Sequence, residues 1–165
     1  AGMLGVEGLS PMVPGDLSAI DGLREDDAAR LAEERIDSVH ALAFTPTARI
    51  FFNTVYGLHR ICDWQDQALL IARVGRTNAL MLREQYFIRG AIAARNEALK
   101  LLAAAGEAQP EAPAAPKPGT TSVVQDDMLK RALHPLAEDR DIERLEVFWR
   151  SIPVLAETST GKGAA

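Results

Sequence analysis

Four side chains able to ligate a metal or act as nucleophile or base fall within one short span: His59, Cys62, Asp63 and Asp66. His59 and Cys62 stand three residues apart and His59 and Asp63 four, so in a helix each pair shares a face. Such a group offers a metal two or three ligands, whereas a structural zinc site takes four, usually from paired Cys/His spacings. The remaining histidines, His40 and His134, lie in different segments. A Cys–His nucleophilic pair needs an accessible thiol in electropositive surroundings. Asp63 and Asp66 beside Cys62 raise its pKa instead. Neither a phosphate-binding glycine loop nor a Gly-x-Ser-x-Gly elbow occurs. The expectation is a protein that is not an enzyme, with no catalytic residues, no metal site and no cofactor.

The elements that carry these residues read as helices. The run from Leu58 to Val74 places Leu58, Ile61, Trp64, Ala68, Leu69, Ile71 and Ala72 at helical spacing, and Gly75 stops it. Upstream, Thr45-Pro46-Thr47 is a helix start signal, opening a short helix over 48–56 with Ile50, Phe51 and Val55 facing inward. Downstream, Thr77-Asn78 caps a single long helix from Ala79 to about Ala105. Its apolar residues, Phe87 and Ile88 among them, surround more than one face, and a helix of that kind needs burial on several sides. That predicts self-association or docking to a protein partner. Arg73, Arg76, Arg83, Arg89 and Arg95 flank it, as a solvated face or as contacts for acidic lipid, nucleic acid or a partner's carboxylates.

Residues 106–121 contain four prolines alternating with alanine and charge, the composition of an extended linker. Beyond it, Gln125–His134 and Glu138–Trp149 read as helices interrupted by Pro135. The second carries a compact stripe of Ile142, Leu145, Phe148 and Trp149 ended by Ser151-Ile152-Pro153. That stripe can fold back on the long helix or, on its tether, bind another subunit. No strand pattern of convincing length occurs. The expected fold is all-α: a leader over 1–16, a helical domain over 17–105, the linker 106–121, a C-terminal helical segment 122–155 and a disordered tail 156–165.

The best-signalled stretch is residues 17–43, expected to form two short helices joined by a tight turn. Glu25-Asp26-Asp27 suits a helix N-terminus, Arg35 ends that helix, and Asp37 or Ser38 can cap the next. With Ile20, Gly22, Leu23, Ala28, Leu31, Ile36, Val39 and Leu42 in their places, the stretch resembles a helix-hairpin-helix motif. The second hairpin glycine of the pattern is Arg24 here. The resemblance implies phosphate binding by backbone N–H groups at the hairpin, through Gly22, Leu23 and Arg24. It also implies a second antiparallel helix pair over 44–74, with Phe51, Phe52, Tyr56 and Trp64 supplying most of the core. Arg49, His59 and Arg60, interleaved with those aromatics, would suit base stacking on nucleic acid; helical spacing makes core the expected role.

Composition and charge bound these readings. The chain of 165 residues is 47% hydrophobic and 25% charged, too apolar for wholesale disorder and large enough for one modest core. The net charge of −5 argues against a surface that grips nucleic acid all over. Residues 1–48 balance at −6, residues 49–100 at +4 and residues 101–165 at −3. A basic middle between acidic flanks either receives an anionic partner or pairs with its own flanks. Cys62 is the sole cysteine, which fits a reducing cytoplasm. The chain has neither a transmembrane segment nor an N-terminus resembling a secretory signal, and an opening of Ala1-Gly2-Met3 is compatible with a piece of a longer protein. The leading functional expectation is an interaction and assembly module, with Phe87, Ile88, Ile142, Leu145, Phe148 and Trp149 as partner-binding residues. The alternative is nucleic-acid binding through Gly22, Leu23, Arg24, Arg49, Arg60 and the basic 49–100 region.

Overall fold

The structure, a computed structural model, describes residues 14–107 and 122–158. Among the described residues the fold is all-α, with eight α-helices and no strand. A 3-10 turn, Pro14–Ala19, leads into α1 (Glu25–Glu33), α2 (Val39–Phe44), α3 (Thr47–Asn53), α4 (Leu58–Val74), α5 (Arg76–Tyr86) and α6 (Ala91–Glu107). After residues 108–121, which lie outside the described residues together with most of the expected leader and tail, come α7 (Asp127–Leu133), a 3-10 turn His134–Glu138 and α8 (Arg140–Thr158).

Local chemistry sets the first boundaries. The backbone N–H of Arg24 donates to Asp27 Oδ2 at 3.0 Å, so a carboxylate three residues into α1 closes its N-terminus. Left-handed Arg35 (φ 63°) ends α1, with Arg35 N–H on Ala32 O and Ile36 N–H on Leu31 O, both at 2.9 Å. This is a Schellman closure carried by a non-glycine residue. Ser38 then caps α2, its Oγ accepting the Ala41 N–H at 3.0 Å. α3 is shorter than the 48–56 expected, and only part of its apolar content is inside. Ile50 is fully buried, but Phe52 and Val55 are 77% and 84% exposed, so Phe52 is not core. Two residues from Ile50 is about 200° around a helix, so Phe52 points away from the neighbour that Ile50 faces.

α4 matches its expected span and is the central strut. Ile61, Trp64 and Ala68 join Leu17, Ile20, Leu31, Ile36, Leu42 and Ile50 in one core; Cys62, Leu69, Leu70 and Val74 belong to a second. Gly75 adopts φ 87°, the left-handed region, where its missing Cβ lets the chain turn directly into α5.

The single long helix over 79–105 is not formed. The chain breaks at Phe87 (φ 58°) and restarts at Ala91, giving α5 and α6. The cause is a carboxylate from outside the segment. Asp66 on α4 accepts the Ile92 N–H at 2.8 Å, and that donor is free only at the start of a helix. Apolar residues that would encircle one helix are thereby divided between two. Ala79 and Leu82 of α5 and Ala91, Ala94 and Ala98 of α6 are buried in the second core. The missing burial that predicted self-association is supplied within the chain.

The C-terminal segment supplies much of it. Val124, Leu129, Leu133, Leu136, Ile142, Leu145 and Ile152 are buried in the same cluster as residues of α4, α5 and α6. The segment folds back, as one of the two expectations had it. Arg73 on α4 clasps it, with Nε 2.7 Å from Asp139 and Nη2 2.6 Å from Asp141. Pro153 does not end α8, which runs on to Thr158. No helix of the described residues is long and apolar enough to cross a membrane.

Burying an aliphatic side chain contributes about 1.5–3 kcal/mol, and whole domains are stable by only about 5–15 kcal/mol. A chain lacking residues 122–165 loses those seven apolar residues from its core and is expected to show no cooperative thermal unfolding by circular dichroism. A sharp transition for the shortened chain would show that 17–105 folds alone.

Candidate functional site

The His59/Cys62/Asp63/Asp66 group is divided among structural tasks. His59 is exposed, and among the described residues no group of three or more His, Cys, Asp or Glu is placed to hold a metal ion. Cys62 is fully buried, and burial followed by the Asp66 carboxylate pushes its thiol up to about 12, leaving it a protonated core residue. Asp63 pairs with Arg89 at 2.9 Å. Asp66 caps α6, and its pKa is raised to about 6 by burial, with Asp63 adding to it against the opposing N–H groups of Ile92 and Ala91. The cap explains Gly90: a Cβ there would sit 1.9 Å from Asp66 Oδ2.

The hairpin residues expected to meet nucleic acid are placed as follows. Gly22, at φ 83°, and Arg24 are exposed at the turn, beside exposed Glu25 and Asp26, while Leu23 is buried. Arg49 donates to the Glu34 carbonyl at 3.3 Å. Arg60 lies over the rings of Tyr56 and Trp64, at 5.9 and 5.6 Å from their centroids. Asp27, one of the three acids expected at a helix N-terminus, accepts both the Arg24 N–H and the Tyr56 hydroxyl, the latter at 2.8 Å. Burial alone would raise its pKa; those donors, with Arg60 and Arg24 nearby, outweigh it and leave the pKa lowered. Tyr56 is pushed up to about 12, by burial first and then by Asp27.

Of the six expected partner-binding residues, Ile88, Ile142 and Leu145 are buried, and Phe148 and Trp149 are half-buried against the same core. Phe87 alone is displayed, 89% exposed. It closes α5, on which Leu80 and Arg83, three residues apart, share one stripe.

Beneath that stripe lies a cleft of about 150 Å³ lined by Ser18, Gln67, Ile71, Ala79, Leu80 and three arginines, Arg76, Arg83 and Arg89. No family model, curated protein or solved structure matches the chain. The cleft therefore has to be read from its own chemistry. α5 supplies Arg76 and Arg83, two helical turns apart on one side, and the turn into α6 supplies Arg89. Arg89 is fixed by Asp63 and, at 3.4 Å, by Asp21. Gln67 is fixed as well, accepting the Asp21 N–H at 2.8 Å and donating to its carbonyl at 3.0 Å. Arg83 is half-buried and has no hydrogen-bond or ion-pair partner among the described residues. Among the described residues no carboxylate lines the cleft itself, although Asp63 and Asp21 pair with Arg89 at its edge. The arginines were visible in the sequence as flanking charge, but their convergence was not, because it depends on the break at Phe87–Gly90.

Two outcomes follow from the Asp66 cap. Gly90→Ala forces the carboxylate off the α6 terminus and is expected to destabilise by about 2 kcal/mol, with a much smaller added cost in an Asp66→Ala background, measured by denaturant unfolding of the double-mutant cycle. Asp66 has a raised folded-state pKa, so its favourable contribution is present below about 4 and is lost as pH rises through about 6. Asp66→Asn is expected to gain on the wild type across that window, by up to about 3 kcal/mol. A constant difference between pH 4 and 7 would show that Asp66 does not titrate in the folded state as described.

Proposed function

We propose that the protein is a non-enzymatic helical interaction module, which assembles with a protein partner or a second copy of itself through the exposed face of α5 and the turn after it. The observation that carries the reading is Phe87. Its left-handed backbone serves the fold, closing α5 with the Ile88 N–H on Leu82 O at 3.0 Å and turning Ile88 into the core, but its ring is 89% exposed and no part of the described fold covers it. Leu80, 42% exposed on α5, adds apolar surface to the same helix, and Arg83 lies between the two in sequence. Aromatic and arginine side chains are the residue types that anchor protein interfaces. The other candidate stripe, on α8, has Ile142 and Leu145 committed to the core and is not used in this reading.

The test separates folding from assembly at one position. Phe87→Gly removes the left-handed strain and is expected to raise the unfolding free energy by about 1 kcal/mol. The same change is expected to weaken association at least tenfold, read as the concentration dependence of mass by light scattering and as the yield of any stoichiometric protein co-purified from the native cell. If the full chain is monomeric at every concentration and co-purifies with nothing, or if its associations survive Phe87→Gly and Leu80→Ser unchanged, the reading is wrong.

A further inference from the structure

The described chain divides at residues 87–90 into two bodies. Residues 14–86 gather around α4, and residues 91–158 gather around α6. The second core is built by both: Leu69, Leu70 and Leu82 from the first body meet Ala94, Leu133 and Ile142 from the second. Arg73 of the first holds Asp139 and Asp141 of the second. These contacts are made between bodies, so none of them requires both bodies to belong to one chain. The covalent link, by contrast, is bent at a cost. Phe87 takes φ 58°, a conformation that crowds the Cβ of any residue that has one, and its ring is left 89% exposed. The runs on either side are already helical, and helical spacing of apolar residues continues through 79–105. What repays the bend comes largely from α4. Asp66 accepts the Ile92 N–H at 2.8 Å, Asp63 holds Arg89 at 2.9 Å, and Ile88 is buried in the core that α4 shares. The bend is therefore held from outside its own segment.

We propose that the 87–90 hinge opens into one continuous helix over 76–107, and that two copies of the chain exchange their 91–158 bodies through it to give a domain-swapped dimer. A short strained hinge between two bodies that share a large interface is the setting in which exchange costs least. Straightened, residues 76–107 make a helix about 48 Å long. Residues 91–158 are then carried away from their own α4 and seat on the α4 of the second copy. The second core and the Arg73 ion pairs are remade between copies, so the balance between monomer and dimer rests on the two hinges. On the bent side stand the Asp66 cap, the Arg89–Asp63 pair and the closure of α5 by the Ile88 N–H on Leu82 O at 3.0 Å. On the straight side stand the relief of Phe87, the helical hydrogen bonds regained across the hinge and a two-fold interface beside it. That interface has no counterpart in the monomer, and Phe87 is the large apolar side chain exposed at the hinge to fill it. Gly90 tips the balance toward the bend, because its missing Cβ makes room for the Asp66 carboxylate.

Exchange does not require docking through the α5 face, and the two give different outcomes. The full chain is unfolded in denaturant, refolded at high concentration and resolved by size exclusion with light scattering. Gly90→Ala displaces the Asp66 cap and favours the helix, so the dimer is expected to increase. Each dimer has two hinges, so a tenfold preference at one becomes about a hundredfold in the dimerisation constant. Phe87→Gly favours the bend and is expected to lower that constant at least tenfold. Reciprocal charges identify what is exchanged. Arg73→Glu and Asp141→Arg each set like charges together within a monomer, while Asp139, which also caps α8, is left in place. Refolded together, the two chains are expected to form a one-to-one dimer, since exchange sets the reversed residue of one against the reversed residue of the other. Assembly through the α5 face alone gives weakening by Phe87→Gly, no gain from Gly90→Ala and no preference for the mixed pair; that combination overturns exchange. A mixed dimer that neither hinge substitution alters is exchanged elsewhere in the chain and overturns the hinge. A chain that stays monomeric at every concentration with Gly90→Ala in place overturns it as well. Should Gly90→Ala not fold, the mixed refolding decides alone, and absence of the one-to-one dimer means that no exchange occurs.

Discussion

Three consecutive polar residues on α4, Gln65, Asp66 and Gln67, hold the rest of the molecule in place. Successive residues of an α-helix step round the axis by about 100°, so three in a row radiate over roughly 200° and reach three different neighbours. Gln65 donates to the carbonyls of Leu42 and Thr45, at 3.0 and 2.6 Å, and so fixes the end of α2. Asp66 starts α6. Gln67 bonds both backbone groups of Asp21 and pins the entry to α1. Both glutamines are 3% exposed, and buried amides are tolerated only when their donors and acceptors are met. Each bond is a condition on where another segment must lie. Apolar packing would accept many arrangements of eight helices around two clusters; these polar conditions accept few.

The same logic explains how the acidic and basic segments of the chain meet. The middle third is basic and its flanks acidic, and the ion pairs that tie them are Arg73 to Asp139 and Asp141, Arg89 to Asp21, and Arg95 to Glu146. Most of these groups are partly exposed, so each pair contributes little to stability by itself. Their effect is on pairing of segments: the C-terminal helices are brought to α4 and α6 in one orientation. Once those pairs are made, the charge imbalance that looked like a binding surface in the sequence is largely consumed. What remains unmatched is local. Among the partly buried arginines it is concentrated at Arg83, on the helix with the fewest buried residues of the two that replace the expected single one.

Much of the fold was legible in the sequence because its signals are local. Leu58–Val74 followed from apolar spacing and a terminal glycine, the cap of α2 was narrowed to Asp37 or Ser38 by their capping side chains, and the helix-only class followed from composition and periodicity. The break at Phe87–Gly90 was not legible, because its cause lies more than twenty residues away. Nothing in the run from Ala79 to Ala105 forbids a continuous helix; Gly90 is tolerated in one. The run breaks because Asp66 needs donors and Gly90 makes room for it. Phe52 failed for a different reason: periodicity marks which residues could face inward but not how much neighbour a seven-residue helix has to face. The cleft inherits both difficulties. Arg76, Arg83 and Arg89 are far enough apart in sequence that only the turn between α5 and α6 brings them to one concavity.

That turn also determines where function can be sought. α5 buries only Ala79 and Leu82, so it contributes less to the shared core than α4 and is among the elements whose local opening costs least. Sequence that served stability alone would place a glycine or asparagine at the left-handed position and an acid near Arg83. The chain instead has a phenylalanine there and leaves the arginine uncompensated. The left-handed backbone is repaid by the closure of α5, with the Ile88 N–H on Leu82 O at 3.0 Å; what no neighbour within the described fold covers is the phenylalanine ring, four residues from Arg83. An exposed aromatic ring and an arginine without a partner among the described residues are what the proposed assembly face rests on. The polar clasps and paired charges of the rest of the molecule fix where that face lies.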